Sequence, residues 1–552
     1  MAYELFVRQA KGACDGKTKI FLDSLTLSPR PPILRGAMQN AIKVEIKRLA
    51  KRAFEKEANA AELEKHYQAQ FAKRTGLAAG PSSRQTSPPF SRHFDPKYCA
   101  RHANFLAKTI WHKVLTKAYE PAPAICYAIP KPDGSHREVM AFSIPDAALA
   151  NIVLRRSRDR NIKRLSPASY AYHPDKNVFD AILALREFDD RGKLFAVQID
   201  FEKYFDNIPS RYLKRKLEDS GQISLTPHEK HIFDRFMHHQ YAYYQDYASG
   251  SFKHRHKGTP QGSSVSLLLA NLANHDLDVD LTAAAGRFVR FADDVVALSS
   301  DYAQAQLIEK CFLDHCRVSG LKVNATKSPG IAIVSSRQQE LRTIPYFDYL
   351  GYRFSPSGLT APDKTIRKLK ARVSRLANLY LIHYLHAGFN NSRCSGTNPQ
   401  YDWDLLGLIY ELRRSIYGGL SEAEISGFIE RGTRLPRMKG LMGFYCLLDD
   451  PAPLKELDGW MLSIVRRAMR TRYHILASKY GASCPKPTNK SLATGTWLDP
   501  AAWQGPQLPE SRMPSLVRGW RAARKHFYTF GLENVEAPKY GFYSDFENLF
   551  GY

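Results

Sequence analysis

Cysteine is scarce in this chain, with eight in 552 residues, at positions 14, 99, 126, 311, 316, 394, 446 and 484. No two form a CxxC pair and none falls at paired spacing with histidine. That excludes a zinc ribbon or finger and favours a reduced, intracellular thiol set. No stretch approaches the ~18 uninterrupted apolar residues of a membrane span. The opening residues, MAYELFVRQAKGACDGK, lack the charged-then-apolar order of a secretion signal. No internal repeat of ~20–50 residues is visible. Acidic residues are also in deficit, 54 Asp+Glu against 80 Lys+Arg, for a formal net charge of +26. Hydrophobic residues at 44% and charged residues at 24% are ordinary globular proportions and exclude disorder over most of the chain. The expectation is a soluble, cytoplasmic, basic protein of three or four domains with no membrane partner.

The charge is unevenly placed. Residues 1–120 carry a net +12 and residues 361–552 a net +10, while the long centre, 121–360, carries only +4. Basic flanks around a nearly neutral middle suit a polyanion held at the periphery while carboxylates work in the centre. Solubility alone would also account for a basic surface.

Three segments follow from composition. Residues 1–92 read as a basic helical extension: apolar and charged residues alternate at helical spacing from Ala37 to about Lys73, and a Gly/Pro/Ser-rich linker covers 78–91. Residues 93–360 mix patterns. A helix is expected from Pro96 to Ala118, then a hairpin in ICYAIPKPDGSHREVMAFSIP, and helices at 146–157 and 176–190. A continuous apolar strand, LFAVQID, ends on Asp200, with helices at 210–219 and 227–240 beyond it. KGTPQGSSVS opens a long small-residue helix reaching about Ala285. RFVRFADDVVALSS reads as a hairpin with Asp293 and Asp294 at its turn. A helix at 302–319, the short segment LKVNATKS and a Tyr/Phe hairpin at 346–359 complete this part. Residues 361–552 read as mostly helical, with an aromatic tail ending at Tyr552.

Asp200 at a strand end and Asp293-Asp294 at a hairpin turn are candidates for one site. Ionised carboxylates on adjacent strand ends are costly unless a cation compensates them. An all-oxygen donor set suits Mg²⁺, which completes its shell with water and substrate phosphates. Two such ions would activate an attacking hydroxyl and stabilise a leaving oxygen. Taken singly, each aspartate reads equally well as a turn or cap residue.

The ordered set of segments resembles the reverse transcriptase family over roughly 120–360. VQIDFEKYFDNIP is similar to its first palm motif, KGTPQGSSVSLLLANLANHDLD to its Gly-Thr-Pro-Gln-Gly segment, and FADD to its Tyr-x-Asp-Asp box. LKVNATKS, YLGYRFSPSG and the upstream IPKPDGSHREV resemble three further motifs in the expected order. Two departures stand out. Leu267 replaces a proline common in intron-encoded relatives, and Phe291-Ala292 replaces the commoner Tyr or Val choices, which points to a bacterial branch.

The resemblance implies an α+β right-hand polymerase. Fingers and an antiparallel palm sheet would lie in the centre, with a helical thumb and C-terminal domain after them. Asp200, Asp293 and Asp294, with the backbone carbonyl of Phe201, would bind two Mg²⁺ ions, Mn²⁺ serving as a substitute. A primer 3′-hydroxyl would then attack the α-phosphate of a dNTP. Lys131 and Arg137 would grip the triphosphate from the fingers hairpin. Phe205 would exclude a 2′-hydroxyl, Gln261 and Gly262 would lie beneath the template and nascent pair, and Lys327 would protonate the leaving pyrophosphate. The partners implied are an RNA template, a DNA product and dNTPs.

Among relatives, the chain lacks a Cys/His nuclease module and an RNase H acid set, and it is longer than a retron enzyme. It is most similar to free-standing bacterial reverse transcriptases of antiphage defence, some of which copy a noncoding RNA or prime on a protein hydroxyl. The basic arms at 37–75 and 365–385 fit a structured RNA partner. The tail fits packing, a homo-oligomer contact or priming. Alternatives from the same residues are a group II intron-type reverse transcriptase or maturase, a non-catalytic RNA-binding scaffold, and template-independent synthesis.

Overall fold

The computed structural model describes residues 33–75, 90–130, 134–186, 194–284, 287–326, 328–338, 342–386, 401–435, 438, 440–503, 505 and 507–531. Lys131, Lys327, most of the 78–91 linker and the aromatic tail beyond Gly531 lie outside the described residues.

The principal elements begin with helices α1 (Ile33–Thr75) and α2 (Ala103–Leu115), then a hairpin of β1 (Ala124–Pro130) and β2 (His136–Ala141). Helices α3 (Ile144–Asn161) and α4 (Val178–Arg186) lead into β3 (Leu194–Ile199). Next come α5 (Ser210–Glu218), α6 (Pro227–Met237), β4 (Gln240–Tyr243), β5 (Lys253–His254), α7 (Val265–Ala273) and α8 (His275–Ala284). Strands β6 (Arg287–Phe291) and β7 (Asp294–Ser299), helix α9 (Tyr302–Ser319), β8 (Gly330–Val334) and β9 (Thr343–Ile344) follow. A small meander, β10 (Phe347–Tyr349), β11 (Tyr352–Ser355) and β12 (Gly358–Thr360), precedes helices α10 (Asp363–Asn378), α11 (Trp403–Tyr417), α12 (Glu422–Arg431), α13 (Ala452–Tyr480) and α14 (Leu516–Phe530).

The central sheet has the order β6-β7-β3-β8-β9. Its first four strands are antiparallel, and β9 joins β8 in parallel. The unbroken apolar run of β3 is explained by helices covering both faces of the sheet. Period-two alternation divides its side chains: Ala196 packs with α4, the meander and the C-terminal helices, while Phe195, Val197 and Ile199 pack with α2, α3 and α5–α9. Two cores thus share one sheet, and the sheet's end is held from both sides.

The first half of α1 belongs to the second of these cores. Met38, Ile42 and Ile46 recur every four residues on one buried face, each isoleucine contributing roughly 1.5–3 kcal/mol of burial. Glu45, buried on that face, receives Arg48, Asn151 and Arg155. A second, four-stranded sheet has the order β2-β1-β4-β5.

The expected elements at 210–219 and 302–319 and the hairpins of β1–β2 and β6–β7 are present within a residue or two. The hairpin expected at 346–359 gains a third strand and is a meander. Three further features differ. The small-residue helix ends at Ala273 and restarts at His275, because buried Asn274 leaves helical geometry (φ −101°, ψ 11°) where its side chain meets His315 at 3.1 Å. The helix from Pro96 likewise breaks at His102. The helix expected to reach 240 stops at Met237, and Gln240–Tyr243 pairs in parallel with β1.

His239 and His315 are both buried, and burial pulls each from its ordinary 6.5 down to about 4. The folded state therefore keeps them neutral while the unfolded chain protonates below 6.5. Stability should fall as pH drops from about 6.5 towards 4, by up to about 3 kcal/mol for each histidine. Urea melts of His239→Gln and His315→Gln beside the wild type, at neutral and acidic pH, check this. The variants should lose part of the acid sensitivity.

Candidate functional site

The site grows from the end of β3. That strand pairs with β7 so that Ile199 faces Val295. One residue further along, Asp200 comes level with Asp294. The register is fixed by buried Val197, Ile199, Val295 and Ala297, since a one-residue slip would turn these side chains out of the core. The backbone of Asp200 is tied on its other side. Its N–H donates to Ser328 Oγ at 3.0 Å, and its carbonyl accepts from the Asn324 N–H at 2.8 Å. Phe201 forms a bridge with Val323, flanked by the bonds from Asn324 to Asp200 and from Glu202 to Lys322. In that alternation the carbonyl of Phe201 points away from Val323, towards the β7 side.

Asp293 lies in the two-residue turn between β6 and β7, where Phe291 faces Asp294. Ala292 takes a positive φ of 63° and is fully buried. A side chain there costs about 1–3 kcal/mol and needs support from its surroundings. Arg290 supplies it. Its Nη1 donates to the Ala292 carbonyl and to Asn271 Oδ1, both at 3.1 Å, while Nε and Nη2 grip both oxygens of Asp278 at 2.7 and 2.5 Å. Both partners of this pair are 1% exposed. From the other side the Tyr349 hydroxyl lies 3.0 Å from the Asp294 carbonyl and 3.2 Å from that of Val289. The meander thus braces the hairpin.

A second cluster adjoins the first through residues 204–208. Phe205 is half-buried, edge-on to Tyr204, whose hydroxyl donates to the Ala270 carbonyl at 2.6 Å. Asp206 accepts from Arg255 Nη2 at 3.0 Å and from Gln261 Nε2 at 3.4 Å. The Gly258–Gly262 loop is stitched in by backbone bonds. Thr259 N–H donates to the Phe205 carbonyl at 2.7 Å, and Met140 N–H donates to the Gln261 carbonyl at 2.7 Å. Gly262 has φ +112°, and a Cβ there would lie 2.2 Å from the Met140 carbonyl oxygen. Gly262 also lines a cleft of about 280 Å³ between α3 and the start of α7, with Asn151, Ser263 and Leu267 on its walls. Gly262→Ala should destabilise the protein by more than about 1–3 kcal/mol and push the loop off β2. A denaturant melt would detect it.

The structure therefore brings Asp200, Phe201, Asp293 and Asp294 to one end of the sheet and gathers Phe205, Gln261 and Gly262 beside them. Arg137 is different. It is exposed on β2 opposite Ile129, on the face away from Glu138 and Met140, and its side chain makes no hydrogen bond or ion pair with a described residue. Asp206, Arg255, Arg290 and Asp278 were absent from the sequence-derived site. Their signals were thin: an acid directly after Phe205, an arginine in KHRHK, and one inside an apolar strand.

The donors at the sheet end are all hard oxygens, carboxylates plus one carbonyl, which fits a divalent cation that also takes water and phosphate. Among the described residues no group of three or more His, Cys, Asp or Glu forms a closed metal cage. No described helix is long and apolar enough to cross a membrane.

Residues 129–354 match the family described as reverse transcriptase (RNA-dependent DNA polymerase). Protein YkfC of Escherichia coli (strain K12) is 24% identical over 177 residues, 30% of this chain and 42% of that protein, so the match spans less than half of that relative. Among solved structures, apo telomerase from Candida tropicalis, truncated from its C-terminal domain, aligns over 47% of this chain and 60% of its own at 13% identity and a TM-score of 0.32. Telomerase from Candida albicans, in complex with a TWJ fragment of telomeric RNA, aligns over 68% and 66% at 13% identity and a TM-score of 0.34.

Proposed function

We propose that the reverse transcriptase domain carried by residues 129–354 is an active RNA-directed DNA polymerase, a nucleotidyltransferase that extends a 3′-hydroxyl with dNTPs. The observation that carries this reading is the register bringing Asp200 level with Asp294, one residue beyond the Ile199–Val295 pair. Asp200, Asp293 and Asp294, with the Phe201 carbonyl, would hold two Mg²⁺ ions, for which Mn²⁺ can substitute. Bound there, the ions would activate the primer hydroxyl and neutralise charge on the leaving pyrophosphate.

The chain's own residues account for the rest. The 205–206 turn is held by Arg255 and by the Thr259 N–H, and we assign its Phe205 ring to the sugar of the incoming nucleotide. Gly262 borders the cleft beside α3, and we assign it, with the adjacent Gln261, to the template strand and nascent pair. Arg137, exposed at the fingers hairpin, is available to a triphosphate oxygen pair, and we assign the same task to Lys131 and a proton-donating one to Lys327. In domain terms, fingers and palm occupy 93–360, between a basic extension (1–92) and a thumb with its C-terminal domain (361–552). Phe205→Val should raise ribonucleotide incorporation on the order of tenfold to a hundredfold relative to deoxynucleotides, read by competitive primer extension.

The template we propose is a cellular noncoding RNA, bound in the bacterial cytoplasm by the basic flanks and copied in antiphage defence. Support comes from the net +12 and +10 of those flanks and from the resemblance to free-standing enzymes. Purification from the native host beside Asp293→Asn/Asp294→Asn, with sequencing of co-purifying RNA and DNA, tests it. New DNA complementary to one abundant small RNA, in the wild type alone, is expected. RNA without DNA in both would favour a scaffold instead.

A further inference from the structure

The C-terminal helices carry a second concentration of charge, in residues the site at the sheet end does not use. On α13, Arg466, Arg470, Tyr473 and His474 recur at four, seven and eight residues and so share one face. With Met469 and Lys486 they line a pocket of about 450 Å³, within the ~300–1,000 Å³ range of ligand clefts. Lys486 Nζ sits 3.6 Å from the centre of the Tyr473 ring. Nearer the start of the same helix, Lys370 of α10 lies 5.6 Å from the centre of the Trp460 ring.

The cations of this pocket converge without a counter-charge. Several buried arginines of the C-terminal region do have acids: Arg472 with Asp402 and Asp404, and Arg518 with Glu422. Arg413 is paired with Glu510 in the same way. Among the described residues, Arg466, Arg470, His474 and Lys486 form no ion pair. Cations converging without acids repel one another and attract a multivalent anion. Cations interleaved with aromatic rings suit a phosphodiester strand whose bases have faces to stack.

We propose that this pocket binds one nucleotide of a single-stranded nucleic acid, its phosphate held by Arg466, Arg470 and Lys486 and its base set against Tyr473. Template RNA and product DNA share that chemistry. The inference rests on the reading that this chain handles nucleic acid, but not on its making any.

The test is equilibrium binding of the full chain to fluorescein-labelled oligo(U) and oligo(dT), followed by anisotropy across a salt series. Arg470→Glu/Lys486→Glu alters two exposed side chains and should bind at least about tenfold more weakly. Its salt dependence should be shallower by about 0.7, the value for one lost phosphate contact on a single strand. Tyr473→Leu should weaken binding severalfold with the slope unchanged. A larger loss for oligo(U) assigns the pocket to RNA, a larger loss for oligo(dT) to DNA, and an equal loss to the shared backbone. Wild-type affinity and slope in the double variant, for both oligomers, overturns the proposal. If circular dichroism finds the glutamate pair unfolded, Arg470→Ala/Lys486→Ala replaces it, with the same outcomes. Primer extension by the wild type is measured alongside, so a failure of the polymerase reading is visible separately from a failure of this one.

Discussion

Replacing Asp200 or Asp293 by asparagine should cut DNA synthesis by at least about a thousandfold, or ~4 kcal/mol of transition-state stabilisation at 1.36 kcal/mol per decade. The substitution keeps shape and removes charge. If these oxygens hold cations, the loss should appear in kcat, because the cations act on the reacting oxygens and not on nucleotide affinity alone. The same variants should melt at the wild-type temperature or slightly above it when no divalent ion is present. Asp200, Asp293 and Asp294 crowd like charge at one sheet end, and removing one carboxylate relieves repulsion. Single-turnover primer extension and thermal melts with and without Mg²⁺ separate the two effects. A general collapse of the fold would lower both together.

Arg290→Met should destabilise the protein by about 3–5 kcal/mol, because it strands the Asp278 carboxylate in a fully buried site. It also removes the donors to Ala292 and Asn271. Stability and synthesis should therefore respond differently to a second change. Asp278→Asn added to Arg290→Met neutralises the stranded charge and should recover much of the stability. It should not recover synthesis, since the left-handed Ala292 would still lack its support and Asp293 would remain poorly placed. Denaturant melts and primer extension on both variants check the split. Full recovery of synthesis in the double variant would mean that Arg290 serves only the core.

How much of this was legible in the sequence depended on the range of the interactions involved. The strand ending at Asp200 and the hairpin around Asp293-Asp294 were readable because alternation and turn chemistry are local. That Asp200 joins Asp293 and Asp294 was expected from the ordered motifs, but the register that brings Asp200 level with Asp294 was not readable, since it is set by core residues on strands about a hundred positions apart. Arg290 and Asp278 are separated by a helix-to-strand connection, so nothing local marks them as a pair. Arg255 reads as one more cation in KHRHK until folding brings it to Asp206. The break at Asn274 was hidden for the same reason, because His315, which meets its side chain, comes from α9. Strand β4 was missed where QYAY follows a helix directly and takes its pairing from distant β1. Arg137 was legible as a residue, but its face on β2 depends on the register with β1.

The central claim is templated DNA synthesis at the end of the β3–β7 pair. Its most direct test uses purified full-length protein, a heteropolymeric RNA annealed to a DNA primer, all four dNTPs and Mg²⁺, with the products sequenced. The account predicts primer extension complementary to the RNA by the wild type, and none by Asp200→Asn. Products without complementarity, or equal extension by both proteins, would contradict it.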